Sequence, residues 1–347
     1  MAVTYVCFVR ASPIPRILAL CLSLVLSVPA TAAWLTDTQG IMGTEISVTL
    51  WHDDEVQGRA VIEQVMAEMR RIDSTLSPYK PASDLSQLNA HAASAPQVLT
   101  DELILLIDKS LWFSELSDGA FDITFASLAQ YYSYRDAQGP TADQRTEALP
   151  AINYKWLDFN KSAKTLRYTH KKVKIDLGGI AKGYAVDRAI HLLRAQGIKH
   201  ASVSAGGDSA LLGDRRGRPW IIGIKNPRQA SSINEGTDAG DAVIRLPLEN
   251  VAVSTSGDYE RYFIDEQTGE RIHHILNPKT GKSASQVMSV TVLGEQGINT
   301  DPLSTTVFVL GVEKGLALVN KLAGFDVIII DIHGKVHYSN ELIAGNP

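Results

Sequence analysis

Cysteine is almost absent from this chain. Its two occurrences, Cys7 and Cys21, both fall in the first thirty residues, so everything after them is free of thiols. That excludes a cysteine nucleophile, a thiolate-ligated metal and a disulfide framework from the main body. Runs of lysine and arginine are absent too, and the formal net charge is −5. Nucleic acid is therefore not expected as a main partner. No internal repeat is visible. What remains is an ordinary globular composition over 347 residues, enough for one large domain or two modest ones.

The N-terminal segment reads as a secretory signal peptide, residues 1–32. Arg10 and Arg16 supply positive charge, Ile17 to Val28 is apolar, and Ala30-Thr31-Ala32 offers small residues for cleavage before Ala33. The apolar stretch is short for a membrane span. Lipidation at Cys21 is disfavoured, because Leu20 stands where a small residue is needed and the apolar run continues beyond it. Residues 33–347 are thus expected to form one exported, periplasmic body, peripheral to a membrane at most.

Periodicity sketches the body. Glu45 to Leu50 alternates as a strand, and Val61, Val65, Met69 and Ile72 recur at helical spacing within Val56 to Ile72. Further helices are expected over Ser83 to Leu88, from Thr100 through Leu116, over Ile180 to Ala195 closed by Gly197, and over Asp301 to Leu322. Strands are expected at Trp156 to Phe159, Thr165 to Tyr168, Val173 to Leu177, Ala201 to Ala205, Trp220 to Ile224 and Met288 to Leu293. Hairpins are expected around Gln267-Thr268-Gly269 and His333-Gly334, a polar excursion at Asp136 to Pro150, and an insertion at Gln229 to Ala242. Helices and mostly antiparallel strands in mixed order indicate an α+β fold.

Five segments carry chemistry. Lys174 to Asp187, KIDLGGIAKGYAVD, takes a β-branched run through Gly178-Gly179 into a helix, where free N–H groups and the helix dipole favour a phosphate. It is neither a dinucleotide fingerprint nor a P-loop, because Ile180 and Tyr184 stand in the wrong places. The same turn would also serve plain strand–helix packing. Asp301 and Thr305 stand four apart, so carboxylate and hydroxyl can share a helix face and suit a hard cation such as Mg²⁺. Asp301 before Pro302 equally fits an N-cap followed by proline. His273 and His274 cannot pair on a metal from one strand, since neighbours face opposite ways; one of them could serve as an acid, a base or a phosphate ligand. Asp118-Gly119-Ala120-Phe121-Asp122 is a tight acidic turn. Ser204 to Asp208 and Ser254 to Gly257 read as small-residue turns after strands.

In order, the segments resemble those of the FAD:protein FMN transferases, the ApbE-like proteins: G-[AG]-I-A-K-G-Y, S-x-G-G-D, S-T-S-G-D-Y, H-x-[ILV]-[DN]-P-x-T-G and D-x-x-[ST]-T. The similarity runs from Ile41 to the end of the Asp301 helix. The resemblance implies a T-fold-like body with an FAD cleft between two lobes. It implies FAD as substrate, Mg²⁺ on its pyrophosphate, and transfer of the FMN half to a threonine or serine of an exported flavoprotein with release of AMP. That acceptor would be a redox complex subunit or an FMN-binding domain. Met42, Tyr79, Ala120, Phe121, Asp122, Asp176, Lys182 and Leu276 would contact FAD. The Gly179 carbonyl with Asp301 and Thr305 would hold the metal, and His274 would be the base. Gly179 and Asn277 depart from the commoner alanine and aspartate. An FAD pyrophosphatase, with water as nucleophile, and a flavin carrier without turnover are the alternative readings.

Overall fold

The computed structural model describes residues 32–228 and 242–344, with Met1. The leader and nearly all of the Gln229 to Ala242 insertion lie outside the described residues. Eight strands form the central sheet: β1 (Ala33–Ile41), β2 (Thr44–His52), β3 (Ala201–Ala205), β4 (Asp208–Leu212), β5 (Ala252–Gly257), β6 (Val287–Gly294), β7 (Phe325–Asp331) and β8 (Val336–Tyr338). They lie side by side in chain order, each antiparallel to the next.

Helices enter through the long connections. α1 (Glu55–Leu76), α2 (Asp101–Leu116) and α3 (Ala181–Ala195) lie between β2 and β3, and α4 (Gly297–Val319) lies between β6 and β7. Asp54 caps α1 by accepting from the Gln57 N–H, and Val61, Val65, Met69 and Ile72 are buried, as their spacing requires. α3 packs on β3 and β4, and α4 on β5 and β6. The hairpin Trp220–Lys225 with Ala242–Leu248 places Ile224, Ile244 and Leu246 against Met288, Ile328 and Ile330. β6 is accordingly buried at every position, which is why it reads as an unbroken apolar run rather than an alternation. The mixed helices and antiparallel sheets make this an α+β fold.

Several expectations change. Val173 to Leu177 pairs with no strand. Side chains stand in for the missing neighbour: Ile175 N–H donates to Asn89 Oδ1 (2.8 Å), Asn89 Nδ2 donates to the Ile175 carbonyl (2.8 Å), and Lys174 N–H donates to Ser127 Oγ (3.0 Å). This satisfies the backbone while leaving the segment irregular as it approaches Gly178. Ser254 to Gly257 is strand β5, not a turn. β1 and β4, too polar or too short to stand out, were not expected. The excursion over residues 136–150 contains a helix, Ala142–Ala148, started by a Thr141/Gln144 capping box. α4 begins at Gly297, four residues before Asp301, so Asp301 is not its cap.

The cap comes from α3. Asp187 accepts from the N–H groups of Gly297 (2.7 Å) and Ile298 (2.8 Å). In return, Asp301 Oδ2 on α4 accepts from the Gly183 N–H in the first turn of α3 (2.9 Å). The two helices touch backbone to backbone: a Cβ added to Gly183 would lie 2.0 Å from the Gly297 carbonyl oxygen. Gly183→Ala should therefore cost about 2–3 kcal/mol by overpacking, read as a lowered urea midpoint. Gly197→Ala, where a Cβ meets nothing within 4 Å but φ is +77°, should cost only about 1 kcal/mol. Equal losses would remove the helix contact from the argument.

Candidate active site

Lys182 sits at the helix crossing. Its ammonium donates to Asp208 Oδ2 at 2.6 Å and lies 3.4 Å from Asp301 Oδ1. Asp208 ends the Ser204 to Asp208 motif and opens β4, which brings it against α3. Both carboxylates are buried, with relative exposures of 2% for Asp208 and 3% for Asp301. Burial opposes the lysine's charge, but the two carboxylates overcome it and hold the ammonium above its ordinary value. Two carboxylates against one ammonium leave one negative charge uncompensated. Asp301 bears the consequence: burial, then the neighbouring Asp208, pushes its carboxyl up to about 7.

Hydroxyls complete this corner. Ser254 and Ser256 share one face of β5 and meet α4, Ser254 Oγ with Thr300 Oγ1 at 2.7 Å, and Ser256 Oγ with Ser304 Oγ at 2.9 Å and Thr305 Oγ1 at 3.2 Å. Gly179 lies alongside, its ideal Cβ position 3.7 Å from Thr305 Oγ1 and 3.1 Å from Phe121 Cε2. The structure thus gathers Gly179, Lys182, Asp301 and Thr305, and adds Asp208 and Ser256, which sequence reasoning missed as site residues.

The two histidines separate. His273 Nδ1 accepts from the Ile275 N–H (3.3 Å), so Nε2 carries the proton and donates it to the Ala284 carbonyl (2.7 Å). With its edge against Phe308, this ring is a structural fixture. His274 Nδ1 is buried without a hydrogen-bond partner among the described residues. Burial, then the charges of Arg261, His273 and Lys182, lower its pKa to about 3. Among the pair, His274 is the ring that feels the lysine of the site.

The remaining expected contacts lie on several elements. Met42 and Gly43 form the two-residue turn between β1 and β2 with φ of 56° and 67°, and a left-handed methionine is strained. Tyr79 is 81% exposed. Ala120, Phe121 and Leu276 are buried. Asp176 Oδ1 accepts from the Gly178 N–H at 2.7 Å. Asp122 is engaged inside the fold: Oδ1 accepts from Thr124 N–H and Oγ1, and Oδ2 from Tyr154 N–H. Its side chain shapes the acidic turn, leaving little capacity for a ligand. Across from that turn, the Asn277 to Gly281 loop is held by Arg145 and Tyr132, which both donate to the Gly281 carbonyl (2.8 and 3.2 Å), and by the exposed Lys279–Asp118 ion pair.

The ApbE family model matches residues 42–329. The chain belongs to the ApbE family. It is 32% identical over 301 residues to the FAD:protein FMN transferase of Treponema pallidum, covering 82% of this chain and 80% of that one. To the FAD:protein FMN transferase of Vibrio cholerae serotype O1 it is 31% identical over 259 residues, covering 72% and 73%. Among solved structures, the ApbE protein of Thermotoga maritima superposes with a TM-score of 0.80 at 32% identity, covering 91% of this chain and 100% of the other. The flavin transferase ApbE of Vibrio cholerae gives 0.78 at 25% identity, covering 90% and 99%. The α+β arrangement around the helix crossing is therefore an ApbE fold.

The lowered pKa of His274 has a measurable sign. Below its ordinary value of 6.5 the unfolded chain takes up a proton that the folded chain refuses down to about 3. The histidine thus contributes stability above pH 6.5 that is lost as pH falls through this window. His274→Asn should lose less stability than the parent between pH 7 and pH 4.5 in urea unfolding. Parallel losses would mean that the imidazole is not held neutral.

Proposed function

We propose that this ApbE-family transferase moves the FMN half of FAD onto a threonine or serine hydroxyl of another protein and releases AMP. The observation that carries the reading is the buried Lys182–Asp208–Asp301 cluster, one positive charge short, beside the hydroxyl of Thr305 and the neutral ring of His274. A carboxylate lacking a counter-charge, a hydroxyl and the adjacent Gly179 carbonyl are the donor types that a hard cation takes, and they fit Mg²⁺. When bound, Mg²⁺ would neutralise charge on the pyrophosphate oxygens.

The chain's own residues do the rest. Lys182 adds positive charge at the same place, and the first turn of α3 directs its dipole there. The acceptor oxygen bonds to the phosphorus on the FMN side, the bond from that phosphorus to the bridging oxygen breaks, and AMP leaves with that oxygen. His274 takes the hydroxyl proton. Burial first, and then the charges of Arg261, His273 and Lys182, keep that imidazole neutral and so able to accept a proton, and a pyrophosphate dianion would oppose the share that comes from Arg261 and Lys182. Met42, Tyr79, Ala120, Phe121, Asp122, Asp176 and Leu276 are proposed to frame FAD, Asp122 by shaping its turn. The acceptor is proposed to be an exported flavoprotein, because residues 1–32 read as a secretory leader.

The test is direct. Incubate the protein with FAD, Mg²⁺ and an exported FMN-binding domain carrying an aspartate upstream of S/T-G-A-[ST], then follow acceptor fluorescence on a denaturing gel and AMP in solution. The acceptor should become fluorescent and EDTA should abolish the labelling. Asp301→Asn, which can still bond the Gly183 N–H, should label at least about 100-fold more slowly. AMP and free FMN with a dark acceptor would instead assign an FAD pyrophosphatase. FAD binding without AMP would assign a carrier.

A further inference from the structure

Arg261 is not among the expected site residues, yet it is fixed to two of the segments that carry them. Its backbone carbonyl accepts from the His274 N–H at 3.1 Å, fixing it beside that histidine. Its Nη2 donates to the Gly43 carbonyl at 3.1 Å, tying it to the strained Met42-Gly43 turn. Among the described residues this is its only side-chain hydrogen bond, so most of the five guanidinium donors are uncommitted. The residue is exposed. It has no carboxylate partner within ion-pairing distance among the described residues.

The charge nevertheless reaches the site. After burial, Arg261 is the leading influence on His274. For Asp176, after burial and the Gly178 hydrogen bond, it is the leading charge. It also reaches Tyr134, where burial comes first and other neighbours contribute. The charge is thus felt by groups on separate segments, while the guanidinium has no carboxylate partner of its own among the described residues. A cation held at one edge, with the rest of its planar fork free of protein partners among the described residues, is suited to an anionic oxygen pair.

We propose that Arg261 is a substrate-binding residue that grips the pyrophosphate bridge of FAD. This rests on the flavin reading above. Lys182 is already paired with Asp208 and Asp301, whereas Arg261 has no carboxylate partner among the described residues. Its attachment to Gly43 would couple phosphate binding to the turn that presents Met42. The bland alternative is a strut that merely fastens the β1–β2 turn.

Three variants separate charge from strut. Arg261→Gln keeps a donor for the Gly43 carbonyl and loses the charge; Arg261→Lys keeps the charge; Arg261→Met loses both. Binding of FAD, FMN and riboflavin is measured by flavin fluorescence both in EDTA and, at times short of turnover, with Mg²⁺, with thermal midpoints recorded for each protein. Arg261→Gln and Arg261→Met should weaken FAD and FMN at least tenfold and riboflavin less than twofold, and Arg261→Lys should recover most of the loss. Equal weakening of all three flavins, or weakening by Arg261→Met with Arg261→Gln unaffected, would make Arg261 a strut and overturn the proposal. Unchanged FAD binding in all variants would overturn it as well. A parent protein that binds no FAD would overturn the flavin reading together with this one. A parent that binds FAD but labels no acceptor would overturn the transferase reading alone.

Discussion

Two helices exchange carboxylates, and the site depends on that exchange. Asp187 of α3 satisfies the first N–H groups of α4, and Asp301 of α4 satisfies an N–H in the first turn of α3. Each acid meets the positive end of the other helix's dipole, which offsets part of the cost of burying it. Gly183 and Gly297 permit the approach because neither has a side chain at the crossing. Lys182 and Asp301 are thereby fixed across from one another by two helices seated on the same sheet face.

The arrangement also explains why a buried charge imbalance can persist. Lys182 sits closest to Asp208, and Asp301 shares the same ammonium and accepts from the Gly183 N–H at the edge of a hydroxyl-lined corner. The strained Met42 turn and the His274 Nδ1, buried without a partner among the described residues, are similar in kind. Each is a local cost, and both lie on segments that the family resemblance assigns to flavin handling.

Much of this was legible in the sequence. Helical spacing located α1 and α3 because a single apolar stripe faces the sheet in each. The hairpins around Gly269 and Gly334 were visible because their turns demand particular residues. Val173 to Leu177 misled because β-branched content signals an extended chain but not whether a strand lies beside it; Asn89 and Ser127, distant in sequence, took that role. Ser254 to Gly257 misled in the opposite way, since its small polar residues look like a turn. In the fold they are strand residues whose hydroxyls meet α4. The start of α4 was misplaced because its cap, Asp187, belongs to another helix.

By itself the sequence determined the α+β class, the absence of thiol chemistry, and the family, because composition, periodicity and ordered motifs are properties of the chain alone. It also supplied Lys182, Asp301, Thr305 and a pair of histidines as candidates. Only tertiary structure could choose between His273 and His274, since the choice lies in which ring finds a carbonyl partner. Only tertiary structure could convert Asp301 from a cap of its own helix into a carboxylate shared between another helix and a lysine. Asp208 and Ser256 joined the cluster for the same reason: local sequence records what a residue can donate, accept or carry as charge, but its partners are decided by packing across the sheet.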